Sequence, residues 1–272
     1  MNFLENILRF LDGQMTTPTP YRWFHLLCFA LIIASTIFIV AKYKNADDKK
    51  NRKILLTFAI IMLTLEVFKQ LNFSFNSATG IWDYQWYAFP FQFCSVPMYV
   101  FLIAALIKSG RVQDSLFAFL GTYALFAGLA VMLYPNTVFI STIGINIQTM
   151  VHHGLMLVGG VYILASGRAK LNYKTVLKAL PVFVVCVLLA IGMNYLTHFL
   201  GLTETFNMFF ISEYFDNHLP VLNVVYDTAP YLVFLAVYVF GFTLVAYIIL
   251  MCAKVLAIVN KMLLKNFKKF DK

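Results

Sequence analysis

Seven long apolar runs, separated by shorter polar stretches, dominate the chain. Each run is close to the ~20 residues that a helix needs to cross ~30 Å of hydrocarbon. Lipid cannot hydrogen-bond an open backbone, so we expect every run to be an α-helix. The pattern predicts an all-α, polytopic transmembrane helix bundle with about seven spans. We place the spans near residues 21–41, 54–73, 89–107, 114–133, 147–166, 180–200 and 229–253.

A short amphipathic stretch precedes the first span. Its apolar positions fall on one helical face: Phe3, Leu4, Ile7, Leu8 and Leu11. The stretch is too short and too charged to cross a bilayer, which favours an interfacial helix; a terminal helix that faces solvent is the alternative. We therefore divide the chain into an interfacial helix and linker (1–20), one transmembrane domain (21–253) and a basic cytoplasmic tail (254–272).

The basic residues are distributed unevenly between the runs. Eighteen of the 21 Lys and Arg residues fall in four segments, 42–53, 108–111, 168–178 and 254–272. By the positive-inside rule, these segments face the cytoplasm. The rule therefore predicts that the N-terminus lies outside and the C-terminus in the cytoplasm.

The composition excludes a soluble globular domain. With 61% hydrophobic and 12% charged residues, the chain carries more apolar surface than it can bury away from lipid. The net charge of +9 is concentrated on one predicted membrane face, where it attracts anionic headgroups, so we expect no nucleic-acid partner. All four cysteines lie in apolar runs, and we interpret Cys28, Cys186 and Cys252 as apolar filling.

Several polar residues fall inside the predicted spans, where ionisable groups are costly and usually face the bundle interior. Counted from the span ends, they share one depth in the external leaflet, a coincidence that structural roles alone do not explain. The second span carries Glu66, Lys69 and Gln70, the third Gln92 and Cys94, the fifth Gln148, His152 and His153, and the sixth Asn194 and His198.

Each of these residues also has a purely structural explanation. Glu66 and Lys69 are three positions apart, so they would neutralise each other on one helix face. Asn194 and His198 have the spacing of interhelical hydrogen-bonding groups. The adjacent histidines of the fifth span point ~100° apart on a helix, so we expect only one of them to address a given site.

The polar cluster indicates nucleophilic chemistry. We expect Cys94 about one turn inside the N-terminus of its helix, where the positive end of the helix dipole favours a thiolate. Pro97 leaves the carbonyl of Phe93 without its usual donor and favours a kink beside the thiol. A histidine of the fifth span would take the thiol proton, with Glu66 orienting that histidine. Phospholipid ester carbonyls lie at this depth, so the hypothesis is acyl transfer through a thioester, for which no metal or cofactor is needed.

Four short stretches carry a family resemblance: Leu65–Gln70, Trp86–Ser95, His152–Leu157 and Met193–Leu196. In order and spacing they resemble the YwaF family of bacterial integral membrane proteins. That family has distant eukaryotic relatives described as glycerophospholipid acyltransferases. The resemblance covers most of the chain. It implies a bundle of six or seven helices, a Cys/His pair in acyl transfer and a bacterial cell membrane as the location.

The resemblance also implies roles for individual residues. Cys94 matches the nucleophile, His153 the base, and Glu66 the acidic residue that orients the base. Where many members have His or Glu two places before the cysteine, this chain has Gln92. Gln92 and Asn194, or backbone N–H groups, would stabilise the oxyanion. The residues expected to contact substrate are Gln92, Asn194, His152, Lys69 and Gln148.

The leading interpretation is a membrane-embedded acyltransferase or transacylase that acts on phospholipid acyl chains at the external leaflet. The acyl acceptor would be a lysolipid, a glycolipid or a lipoprotein amine. One rival is a proton- or solute-coupled transporter, which predicts polar groups near the midplane and an internal repeat. The others are a membrane sensor or scaffold, and a metal site built from Glu66, His152, His153 and His198. The aromatic loop 201–228 fits either a lid or a connector that packs over the bundle.

Overall fold

A computed structural model describes residues 3–202, 205–217 and 219–270, with side chains up to residue 262. Within those ranges the secondary structure is helical apart from two isolated β-bridges. The nine α-helices of the described ranges are α1 (Phe3–Leu11), α2 (Trp23–Tyr43), α3 (Asp48–Ser74), α4 (Val96–Leu106), α5 (Arg111–Leu133), α6 (Ile143–Ala165), α7 (Tyr173–Phe199), α8 (Leu222–Thr228) and α9 (Tyr231–Phe270).

Six of these helices, α2, α3, α5, α6, α7 and α9, are long and apolar enough to cross a membrane. The predicted fold class, an all-α polytopic bundle, is therefore confirmed. The helix α5 contains a π-helical turn over Leu120–Ala124. The helix α9 continues without a break for 40 residues, so the predicted tail begins inside a helix.

The third predicted span, 89–107, is not one continuous helix. Its helical part, α4, has only 11 residues, which extend about 16 Å and cannot cross the hydrocarbon alone. The residues before α4 form turns and a 3₁₀ turn at Trp86–Ala88. The prediction of a full helix here was wrong because an apolar composition does not distinguish a lipid-facing helix from irregular backbone enclosed by protein.

The segment that contains α4 nevertheless extends from one end of the bundle to the other. At one end, the Gln70 amide donates to the carbonyl oxygen of Ala88 at 2.6 Å. At the other end, the Arg52 guanidinium donates to the carbonyl oxygen of Ile107 at 3.1 Å. Arg52 and Gln70 lie on the same helix and are separated by about 27 Å, which is close to the hydrocarbon thickness. The segment therefore forms a seventh crossing, half irregular and half helical.

The position of Pro97 differs from the expectation of a kink. Pro97 lies in the first turn of α4, where its missing N–H has no intrahelical acceptor to lose, so it starts the helix. Cys94 accordingly lies two residues before α4 and not one turn inside it. The amide of Ser95, between them, donates to the carbonyl oxygen of Gln92 at 2.8 Å.

Two ion pairs gather three of the basic segments at one end of the bundle. Arg168 pairs with Asp48 at the start of α3 at 2.8 Å, and Lys178 of α7 pairs with Asp114 of α5 at 2.9 Å. This shared end agrees with the charge pattern of the sequence. Its cytoplasmic orientation stays a prediction of the positive-inside rule.

The N-terminal helix docks on the opposite end. The Arg9 guanidinium donates to the carbonyl oxygen of Ser77, and the amide of Ile143 donates to the carbonyl oxygen of Gly13 at 2.9 Å. Of the predicted apolar face of α1 only Leu8 is buried, and Phe3 stays exposed. The interfacial position of α1 stays a prediction.

Close helix packing positions the helix that carries the two histidines. A Cβ on Gly128 of α5 would lie 2.7 Å from the carbonyl oxygen of His153 and 2.9 Å from the amide nitrogen of Leu157 on α6. A Cβ on Gly160 of α6 would lie 2.8 Å from the carbonyl oxygen of Leu120 on α5. The two glycines therefore let the backbones of α5 and α6 touch.

We expect Gly128→Ala to destabilise the protein by about 1–3 kcal/mol, because the added methyl group forces α5 away from α6. Gly192→Ala on α7 is the matched control, since a Cβ there meets nothing within 4 Å. Thermal melting of the detergent-purified variants measures the difference. Equal melting temperatures for the two variants would contradict this account of the α5–α6 contact.

Candidate functional site

A cavity of about 430 Å³ lies among α3, α5, α6, α9 and the irregular half of the seventh crossing. Its lining combines aromatic walls with a concentration of polar side chains. Seven of the eight predicted site residues line it: Glu66, Lys69, Gln92, Cys94, Gln148, His152 and His153. The shared depth inferred from the sequence therefore corresponds to one physical space.

The two adjacent histidines both line this cavity, contrary to the expectation that only one would. His152 Nε2 lies 3.0 Å from the carbonyl oxygen of Cys94, and His153 Nδ1 lies 2.8 Å from the carbonyl oxygen of Thr149. A carbonyl oxygen only accepts, so each of these ring nitrogens carries the proton of a neutral imidazole. The remaining nitrogens, Nδ1 of His152 and Nε2 of His153, are then free to accept a proton.

The neighbours of the histidines differ from those predicted. Glu66 was expected to orient the base, but its carboxylate is engaged by Lys69 at 2.8 Å and by the Gln70 amide at 2.8 Å. The ring of His153 is oriented instead by a carbonyl group of its own helix. The predicted neutralisation of Glu66 by Lys69 is confirmed.

Cys94 is half-buried and borders the cavity. It lies two residues before α4, whose dipole is positive at its N-terminus. Ser95 follows it in the chain, and Ser95, Lys69 and Glu66 all line the same cavity. The cavity therefore holds one hydroxyl, one cation and one carboxylate besides the thiol.

The loop between α7 and α8 enters the bundle and closes one side of the cavity. Gln92 holds this loop through two hydrogen bonds. Its side-chain NH₂ group donates to the carbonyl oxygen of Asn207 at 2.9 Å, and its side-chain oxygen accepts from the backbone amide of Phe209 at 2.9 Å. The Tyr238 hydroxyl of α9 donates to the carbonyl oxygen of Phe209 at 3.1 Å. Phe209 is 1% exposed. Of the two roles considered for this loop, packing into the bundle describes its observed position.

Asn194 is the one predicted site residue that does not line the cavity. Its side chain donates to the carbonyl oxygen of Met208 at 3.1 Å and accepts from the amide of the same residue at 2.8 Å. Both ends of the amide are therefore used to hold the loop. Asn194 therefore holds the loop from outside the cavity, whereas Gln92 holds the loop and also lines the cavity; a contact of either side chain with substrate stays a prediction.

The loop carries local backbone strain. Phe209 and Phe210 have φ values of 61° and 55°, in the left-handed region that bulky side chains rarely adopt, at a cost of about 1–3 kcal/mol each. The hydrogen bonds from Gln92, Asn194 and Tyr238 hold this conformation. The strain therefore lies beside the cavity and is balanced by residues of three different crossings.

Sequence reasoning missed several lining residues. Ser95, Thr149 and Tyr238 carry polar groups, and Phe126 and Phe242 supply aromatic walls. The position of Ser95 next to Cys94 was the available signal. The aromatic residues lie in ordinary apolar runs and carry no such signal.

The other described histidines serve elsewhere. His25 accepts from the amide of Tyr21 at 2.9 Å and is bonded to the carbonyl oxygen of Met132 at 2.9 Å. His198 stacks on Tyr214 with ring centroids 3.4 Å apart. Among the described residues, no three His, Cys, Asp or Glu side chains are grouped so that they could hold a metal, so the alternative metal site is not assembled there. His218 and Glu204 of the loop 201–228 lie outside the described residues.

The fold and the cavity define a polytopic membrane protein with a cavity of aromatic walls and clustered polar side chains, built on a broken crossing. The chain belongs to the TMEM164 family, whose family model matches residues 15–254. The match covers all residues of the site and every crossing except the C-terminal part of α9. No curated protein and no solved structure matches the chain.

This match corrects the resemblance drawn from the sequence. The assignment to the YwaF family was wrong, and with it the bacterial cell membrane loses its support. The four short stretches used for that assignment are polar patterns on apolar helices, which are too brief to separate one membrane family from another. The multi-pass membrane location itself is supported by the six long apolar helices.

The Glu66–Lys69 pair predicts a non-additive pair of variants. Lys69→Met leaves a buried carboxylate without its cation and is expected to cost about 3 kcal/mol. Adding Glu66→Gln removes that isolated charge, so the double variant should regain most of the loss. Thermal melting of both single variants and the double variant tests this. A double variant that melts below both single variants would show that the pair is not the source of the effect.

Asn194→Leu is expected to free the loop. The substitution leaves the buried amide of Met208 without a partner, at about 1–3 kcal/mol, and its carbonyl oxygen then keeps only the amide of Ile211, at 3.4 Å. Limited proteolysis within residues 201–228 should become faster than in the wild type. Leu196→Ala, at a 56% exposed position on the same helix, is the control, and its cleavage rate should not change.

Proposed function

We propose that this protein is a membrane-embedded acyltransferase that uses Cys94 as its nucleophile and a phospholipid as acyl donor. The observation that supports this most directly is the shared cavity of one thiol and two neutral imidazoles. Nucleophilic catalysis by a thiol requires a basic nitrogen that can reach it, and here both groups line one cavity. The apolar aromatic walls suit a fatty-acyl chain.

The proposed attack needs the thiolate of Cys94, and some features of its surroundings act in that direction. The N-terminus of α4 and the ammonium group of Lys69, which lines the same cavity, both supply positive potential. The Ser95 hydroxyl also lines the cavity and would donate to the sulfur as charge develops. In this proposal, these features activate the thiol in place of the kink that the sequence predicted at Pro97.

His153 is the proposed base. With its Nδ1–H donated to Thr149, its Nε2 has a free lone pair for the thiol proton. His152 acts as a positioning residue, because its Nε2–H holds the carbonyl group of Cys94 and so fixes the backbone that carries the thiol.

The reaction proceeds in two balanced steps. In the first, the Cys94 sulfur attacks the ester carbonyl carbon, a thioester forms, and the lysolipid leaves with the proton that His153 accepted. In the second, a hydroxyl or amino group of the acceptor attacks the thioester, gives its proton to His153, and the thiol is restored. No oxidant or reductant is consumed. The acceptor is a lysolipid, a glycolipid or a lipoprotein amine.

The oxyanion needs a donor other than the two amides first considered. The side chains of Gln92 and Asn194 are both committed to the loop. Lys69 and Ser95 line the cavity next to Cys94, so we assign stabilisation of the oxyanion to the ammonium group and the hydroxyl. Gln148 lies in the lining as a further substrate contact.

A second candidate function, a solute- or proton-coupled transporter, is favoured by one observation. Transporters bind substrates at crossings that are interrupted within the membrane, and the crossing at residues 89–107 is interrupted beside the cavity. Proton-dependent uptake of a solute into proteoliposomes, unchanged in Cys94→Ala, would favour this function over acyl transfer.

Intact mass spectrometry of the detergent-purified protein tests the thioester. After incubation with phospholipid, the wild type should gain one fatty-acyl mass that hydroxylamine removes. Cys94→Ala should gain none. His153→Gln should form the adduct about 10²–10⁴-fold more slowly, whereas His152→Gln should slow it less.

Cys252→Ala is the matched control, because Cys252 is exposed on α9 and does not border the cavity. It should acquire the acyl group at the wild-type rate. An adduct that persists in Cys94→Ala and disappears in Cys252→Ala would place the nucleophile elsewhere.

A further inference from the structure

Two further hollows lie along the pair of helices α5 and α7. One is an apolar groove of about 550 Å³ between α4, α5 and α7, whose walls include Val100, Val185 and Leu189. The other is a polar basin of about 660 Å³ at the basic end of the same pair. Neither is lined by Cys94 or by either of the two cavity histidines.

The two hollows share one face of α7. Lys174 and Lys178 line the basin, and Val182, Val185 and Leu189 line the groove. These five residues recur at intervals of three and four, which places them in a single stripe along the helix. A long ligand that follows this stripe contacts the basin with one end and the groove with the other.

The basin and the lower end of the groove carry uncompensated positive charge. Lys178 is paired with Asp114, which is the only acidic residue in the basin lining. Lys170 and Lys174 line the basin, and Arg111 lines the groove. In the part of the chain that the structure describes, these three cations have no acidic partner. The basin therefore suits a phosphate group.

The length of the stripe matches one leaflet. From Lys178 to Leu189 the helix rises about 16 Å, roughly half of the ~30 Å hydrocarbon layer. Val185 and Leu189 are 55% and 52% exposed, so apolar surface is open along this whole length. A soluble phosphate compound would fill the basin and leave the groove unused.

We propose that this seam between α5 and α7 binds an anionic phospholipid of the predicted cytoplasmic leaflet. Its phosphate headgroup occupies the basin beside Lys170 and Lys174, and one acyl chain follows the groove from Arg111 past Val185 and Leu189. The site is separate from the cavity of Cys94, so it does not rest on the proposed acyl transfer.

Native mass spectrometry of the full chain tests the proposal with phosphatidylglycerol and phosphatidylcholine of identical acyl chains. The wild type should retain clearly more phosphatidylglycerol than phosphatidylcholine. The double substitution Arg111→Gln and Lys174→Gln should reduce that preference by about fivefold for each charge removed. Leu189→Trp, or Val185→Phe as a second groove variant, should reduce retention although all charges remain.

The control is the double substitution Lys49→Gln and Lys53→Gln, which removes two exposed charges from the same end of the protein but outside both hollows. Its preference should equal that of the wild type. Three results would overturn the proposal: equal retention of the two lipids by the wild type, an equal loss in the control, or full displacement of the lipid by glycerol phosphate alone.

Discussion

The structure depends on satisfying backbone hydrogen bonds where no water is present. Between Ala88 and Ser95 the chain crosses half of the predicted membrane without helical bonds, and each unmet group there would cost several kcal/mol in lipid. Gln70 meets the carbonyl group of Ala88, and His152 meets that of Cys94. Local bonds such as that from Ser95 to Gln92 supply further partners. The polar residues of the membrane interior thus hold the backbone as well as line a cavity.

The same need for hydrogen-bond partners links the cavity to the loop between α7 and α8. Gln92 accepts from Phe209 and donates to Asn207, so the irregular crossing and the loop complete each other's hydrogen bonding. Asn194 repeats this arrangement from α7. Displacement of the loop would therefore expose polar backbone in two places at once. This coupling explains why Gln92 and Asn194, which were predicted to contact substrate, also have a structural task.

The sequence predicted the all-helical class, the positions of most membrane spans and the group of residues that line the cavity with Cys94. It could do so because hydropathy locates the spans, and the distance from a span end gives the depth of each polar residue. It could not predict lateral contacts. The partner of Glu66 was foreseeable from a spacing of three residues, but the partners of Gln92 and Asn194 lie on a loop whose path only the folded chain defines. The irregular half of the third span was missed because hydropathy treats enclosed and lipid-facing apolar residues alike.

The two phenylalanines at positive φ carry a consequence for how this protein tolerates change. Glycine adopts that conformation freely, so a glycine at residue 209 would relieve the backbone. It would also remove an aromatic ring from the cavity wall. Because Phe209 is fully buried, loss of its ring would cost about 3–5 kcal/mol, more than the ~1–3 kcal/mol of strain that the glycine would relieve. The packing of the ring therefore maintains the strained backbone, and selection for heat resistance would keep the aromatic residue and the cavity wall together.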